Sequence, residues 1–207
     1  MSAVEGGLAQ ALALVNSGHA AQAESLCEAL LRQDASHPAV HQLMAVLRAH
    51  QGRWQEAQSH VGRSLSGRPD HLPSLELAAR IARSTGDTGR ARGVLQQIAD
   101  LQPASPQAWF ALALACHDAG DRSSERTALQ RVLQLQPGHV EALVNTGIAQ
   151  QEDGDLDAAM HSYAQAWRLR AGTLGRIANA LCSERTGALW LDLPTLKAAL
   201  SRLSAPA

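Results

Sequence analysis

Nine histidines, three cysteines and 19 acidic residues give this 207-residue chain ample material for metal or acid–base chemistry, so their spacing decides what they could do. His37 and His41 stand four apart, the separation that puts two ligands on one helix face. No Glu or third ligand accompanies them, however, and a boundary between structural units falls between the two, so they do not make a zinc site. The run Glu152-Asp153-Gly154-Asp155-Leu156-Asp157 has the carboxylate density of a calcium loop, yet the glycine and the closing Glu such a loop requires are out of place. Cys27, Cys116 and Cys182 are odd in number and far apart, and the first two fall on apolar helix positions. That pattern reads as reduced structural thiols rather than a disulfide framework or a metal cluster. No Gly-rich phosphate loop follows a strand, and no Ser or Cys nucleophile comes with a motif that sets a base beside it. Arg80 with Arg83 and Arg168 with Arg170 read as solvated helix-face charges. The expectation is a protein that is not an enzyme and has neither cofactor nor metal.

The same residues carry a different message through their long-range spacing. His37, His71 and His139 lie at multiples of 34 residues, and so do Gly18, Gly52, Gly86, Gly120 and Gly154. Pro69, Pro103 and Pro137 share the period, as do Ala23, Ala57, Ala91 and Ala159, with Glu125 in place of the small residue in the fourth unit. A fixed period of this size is the signature of stacked supersecondary units, each unable to bury its apolar face alone. The unit from Pro106 to His139 shows how one is built. Trp109, Leu112, Ala113 and Cys116 recur on one helical face, Gly120 ends that helix, and Asp121 caps the next. Asp87 and Asp155 repeat this Gly-Asp step. Leu129, Val132 and Leu133 point inward from the second helix, which stops before Pro137.

These columns resemble the tetratricopeptide repeat family. The fourth unit shows Trp109, Leu112, Ala113, Gly120, Leu129 and Pro137; the second shows Met44, Ala45, Gly52, Trp54, Ala57 and Pro69; the fifth shows Leu143, Gly147, Gly154, Leu156, Ala159, Tyr163 and Ala166. The likeness covers about four fifths of the chain, in one register. It implies an all-α, right-handed superhelical solenoid of about five 34-residue helix-turn-helix repeats with a C-terminal capping segment. The units are placed at 4–37, 38–71, 72–105, 106–139 and 140–171, as one continuous domain over 4–171, with capping helices in 172–207. The first unit departs from the pattern, with Gly7 and Gln10 where bulky residues are expected and Ala35 in place of the terminal Pro, which suits a frayed or capping end. After the fifth, the spacing predicts a helix over Leu174 to Glu184 capped by Thr173, a turn at Arg185-Thr186-Gly187, and a short helix over Pro194 to Leu203. The apolar stretch Ala188-Leu189-Trp190-Leu191 between them reads as part of a lid on the open end, or else as a docking segment.

The resemblance also implies a concave face built from the first helices. From the spacing it takes in Leu8 and Leu12, Gln42 and Val46, Glu76, Arg80 and Arg83, Phe110 and Leu114, and Val144 and Ile148. A polar middle separates two apolar ends, and the patch of Phe110, Leu114, Val144 and Ile148 is too apolar to leave in water uncovered: it is either a groove for a partner or is buried by superhelical curvature, by the tail or by self-association. The expected partner is another protein, presenting an amphipathic helix or an extended apolar peptide. The clamp by which chaperone-binding members hold a terminal carboxylate is missing, because Leu8, Leu12, Leu43, Pro73 and Leu77 stand in its places. The asparagine ladder of sugar-transferase members is reduced to Asn145, with Ala9, Leu43, Leu77 and Ala111 in the other positions. The functional expectation is a non-catalytic interaction scaffold or adaptor. Two alternatives stand beside it: the interaction arm of a larger catalytic assembly that modifies or transfers a group onto proteins, and a self-assembling structural protein, that is, a homo-oligomer.

Composition agrees with this class. Hydrophobic content of 45 per cent with only 3 per cent aromatics indicates a core of Ala, Leu and Val suited to close helix packing. A net charge of −1 offers nucleic acid no electrostatic footprint. Of the 18 basic residues only Lys197 is a lysine, a bias to which we assign no role. Met1 to Asn16 lacks the basic start and cleavage pattern of a leader, and no apolar run reaches the roughly 20 residues of a membrane span. A cytoplasmic protein with no membrane partner is expected.

Overall fold

The computed structural model describes residues 3–182 and 193–203, and no strand occurs among them. Five helix hairpins follow one another: α1 (Ala3–Asn16) with α2 (Ala20–Gln33), α3 (Pro38–His50) with α4 (Trp54–Gly67), α5 (Leu72–Ser84) with α6 (Thr88–Leu101), α7 (Pro106–Asp118) with α8 (Arg122–Leu135), and α9 (Val140–Glu152) with α10 (Leu156–Leu169). A 3₁₀ turn at Ala171–Thr173 leads into α11 (Leu174–Leu181), and α12 (Leu193–Leu203) comes last among the described elements.

Local chemistry explains the hairpins. The five periodic glycines are the described residues with positive φ, between 71° and 87°, the left-handed conformation in which a side chain is strained. At the fourth, Gly120 N–H donates to the His117 carbonyl and Asp121 N–H to the Cys116 carbonyl, so the last free acceptors of α7 are satisfied. Asp87, Asp121 and Asp155 then accept from the backbone N–H groups of Arg90, Ser124 and Ala158, capping α6, α8 and α10. A second column caps the first helices. His37 Nδ1 accepts from Val40 N–H, Ser105 Oγ from Ala108 N–H and His139 Nδ1 from Ala142 N–H. Two of the three periodic histidines, His37 and His139, are thus helix N-caps, a role their spacing alone did not disclose, whereas His71 holds the same position with its Nδ1 bonded to the Ser74 hydroxyl at 2.9 Å and no side-chain cap.

The chain divides into two compact units, Met1–Leu101 and Gln102–Ala207. In the first, α1 to α6 pack through Cys27, Leu30, Val40 and Met44 in one cluster and Ala57, Val61, Leu77 and Ile81 in another. Arg48 of α3, almost fully buried, is clasped by Glu24 and by Glu28 at 3.5 Å from α2 and by Glu56 at 3.3 Å from α4. Three helices are thereby tied by one guanidinium, and removing it would strand several carboxylates.

In the second unit, α9 and α10 close around Tyr163, which is fully buried. A Cβ on Gly147 would lie 2.4 Å from the Tyr163 ring, so this helical glycine leaves the room the ring occupies. Tyr163 donates to Gln151 Oε1 at 3.1 Å, and Gln151 Nε2 donates to the Ala180 carbonyl at 2.8 Å. Ile177 and Leu181 of α11 and Leu196 and Leu200 of α12 are fully buried in the same core. Two expectations change. Thr173 does not cap α11: it belongs to the 3₁₀ turn, and its hydroxyl donates back to the Arg170 carbonyl at 2.8 Å. α11 ends at Leu181, and the turn at Arg185-Thr186-Gly187 and the stretch Ala188-Leu189-Trp190-Leu191 lie outside the described residues.

Candidate binding face

In the first unit the expected face is uneven. Leu12 is 46% exposed, while Leu8 and Val46 are half-buried and pack against core clusters. Gln42 accepts from Arg68 at 3.3 Å and is thereby held by its own repeat. Glu76, Arg80 and Arg83 are exposed, and Arg80 lines a shallow depression with Trp54, Ala49 and His50. Leu43 and Leu77 are buried, so neither reaches a ligand.

The second unit holds the better-formed surface. Leu114 of α7 is 37% exposed, Ile148 of α9 is half-buried, and Phe110 rests its ring on His139 at a centroid distance of 4.7 Å. Val144 does not join them. It is fully buried in the cluster that contains Ile177 and Leu181, because α11 packs against α9 and makes this position core. Leu114 and Ile148 instead form the walls of a pocket of about 140 Å³ completed by His117, Asn145 and Glu125. Asn145 accepts from Arg176 of α11 at 3.2 Å.

Glu125 is the group the sequence reading passed over as a mere departure from a small-residue column. It is 4% exposed, and His117 Nδ1 donates to its Oε1 at 3.1 Å, which fixes the imidazole tautomer. Burial pushes the carboxyl above its ordinary range, and the charge and hydrogen bond of His117 pull the other way. The signal was present in the sequence: one acid stands where four other units carry alanine.

A wider cleft of about 670 Å³ lies between α8 and α9, walled by Leu129, Leu133 and Ala149 with Gln130, Gln134 and Gln150 at its margins. Thr146, also in its lining, has a buried hydroxyl without a hydrogen-bond partner. Cys27 and Cys116 are buried and Cys182 is exposed, and burial raises the Cys27 thiol to about 11. His41 does not face His37: its Nε2–H donates to the Ala35 carbonyl, so its Nδ1 accepts from His60 Nδ1–H, each at 2.9 Å. Among the described residues no three His, Cys, Asp or Glu side chains converge as metal ligands would. No described helix is long and apolar enough to cross a membrane.

Family models described as tetratricopeptide repeat match residues 14–81 and, in a second model, 77–126 and 126–173. Solved structures with the same fold include MamA 41-end from Desulfovibrio magneticus RS-1, 18% identical over 82% of this chain and 96% of that one, with a TM-score of 0.67. A second is MamA AMB-1, 18% identical over 82% and 92%, with a TM-score of 0.70. A third is YrrB, described as a TPR protein with an unusual peptide-binding site, 15% identical over 80% and 85%, with a TM-score of 0.71. No curated protein sequence matches the chain.

Proposed function

The chain belongs to the tetratricopeptide repeat family, and on that premise we propose that it is a non-catalytic scaffold that binds another protein through a peptide or helix seated on the face of its second unit. The observation that carries this reading is the exposed apolar edge of Leu114, with Phe110 and Ile148 beside it, around a pocket that no described side chain fills. Apolar side chains gathered at a concavity are what an amphipathic partner needs: its hydrophobic face gains roughly 25 cal/mol for each Å² removed from water. That YrrB is described as having a peptide-binding site supports the reading by analogy of fold. Val144 is left out of the face because it is core, and the first-unit residues are assigned no direct contact.

The test is a paired pull-down with the native chain and a Phe110→Asp, Leu114→Arg double variant, read by mass spectrometry, with circular dichroism to check that helicity is kept. A partner held by the native chain and lost from the folded variant supports the face. A partner retained by both places binding elsewhere, with the α8–α9 cleft as the next surface to alter.

A further inference from the structure

We propose that the pocket under Leu114 and Ile148 is an arginine-selecting site, so that the partner peptide is one that presents a basic side chain between apolar neighbours. The inference rests on the binding face described above and deepens it. Four of the five units carry alanine at the start of the second helix, and this unit carries Glu125 there with its carboxylate almost out of solvent. Burying a carboxylate is costly unless charge and hydrogen bonds compensate it. Among the described residues its side chain has one hydrogen-bond partner, His117, and that imidazole is itself 49% exposed. The arginines nearby make their hydrogen bonds elsewhere, Arg122 to Glu152 at 2.8 Å, Arg126 to Asp153 at 2.8 Å and Arg176 to Asn145 at 3.2 Å, and although the Arg122 charge still favours the Glu125 carboxylate, the Glu152 charge opposes it. The pocket therefore offers a negative group with spare acceptor capacity at the base of apolar walls.

Charge complementarity commits the site to a cation. Its size, about 140 Å³, suits one side chain rather than a helix or a small-molecule cofactor. Arginine fits better than lysine, because its flat guanidinium tolerates desolvation, can donate two bonds to one carboxylate and can lie against the His117 ring, while its methylene stem covers Leu114 and Ile148. The apolar walls then read the partner's neighbouring residues, and Glu125 reads the charge.

The experiment pans the full chain against a displayed library of random 16-residue peptides, then titrates one enriched peptide and its Arg→Met version, both fluorescein-labelled, by anisotropy. Native chain, Glu125→Ala and the Phe110→Asp, Leu114→Arg variant are compared. Alanine is the residue of the other units, so Glu125→Ala is expected to melt at or above the native temperature. Enriched peptides should carry an arginine flanked by apolar residues, and the native chain should prefer the arginine form at least tenfold. In Glu125→Ala that preference should fall to within twofold, with affinity for the methionine form unchanged. Face-dependent peptides that lack a basic residue, or a tenfold preference that survives Glu125→Ala, overturn the charge-reading site and leave the binding face standing. Peptides that bind the double variant as well as the native chain, or no enrichment at all, count against the face and take this inference with it.

Discussion

His60 shows how one contact makes stability depend on pH. Burial first, then the neighbouring His41 and the arginines Arg63 and Arg48, hold its imidazole down to about 4, against an ordinary value near 6.5. His71 is lowered too, by burial and by Arg68. Between those values the unfolded chain binds protons that the folded chain refuses, so stability falls as pH drops from about 6.5 towards 4 and the loss is complete below it. We expect about 1–2 kcal/mol from His60 once solvent screening at its partly exposed ring is allowed for. Melting the native chain and His60→Gln from pH 7.5 to 4.5 checks this: the variant should lose less stability on acidification, and parallel curves would refute the assignment. Glu24, held down first by the hydrogen bond from Gln51, adds its loss only at more acid pH, so the upper part of the window belongs to the histidines. The pair itself was not legible in the sequence, because His41 and His60 sit on different helices and only the packing of α3 on α4 brings their rings together.

Helix ends were the most legible feature of the fold, because a positive φ and a capping carboxylate are local demands that one residue answers. Gly120 at φ 71° has open space where a Cβ would go, so a side chain there meets a backbone penalty alone. We expect Gly120→Ala to cost about 1 kcal/mol and Gly120→Val more, each read as a lower melting temperature, and unchanged melting would remove the turn assignment. Gly147 makes the opposite case. Alanine is the better helix former there, yet its Cβ would overlap the Tyr163 ring, so we expect Gly147→Ala to destabilise by 1–3 kcal/mol and the double change Gly147→Ala, Tyr163→Leu to recover part of that. Sequence spacing gave α12 to within a residue and overextended α11. It also put Val144 on the surface, because that position follows the repeat, whereas the helix that buries it does not.

At the scale of the whole molecule, the second unit needs its last helices. Ile177, Leu181, Leu196 and Leu200 are fully buried with Val144 and Tyr163, so a chain ending at Arg170 would leave that core open on one side. We expect such a truncation to aggregate or to lose hydrogen-exchange protection throughout α9 and α10; a soluble form with native protection there would show that α11 and α12 are dispensable. The same arrangement sets an order in time. All helices of the first unit have been made once Leu101 has been added, but Leu200 is translated about a hundred residues later, some 5–20 s at ordinary elongation rates. Tyr163 is made within that interval, and for the 37 residues between it and Leu200, about 2–7 s at the same rates, its ring and neighbours wait without their lid, so we expect the nascent second unit to be the part that draws on a chaperone shielding apolar surface during translation.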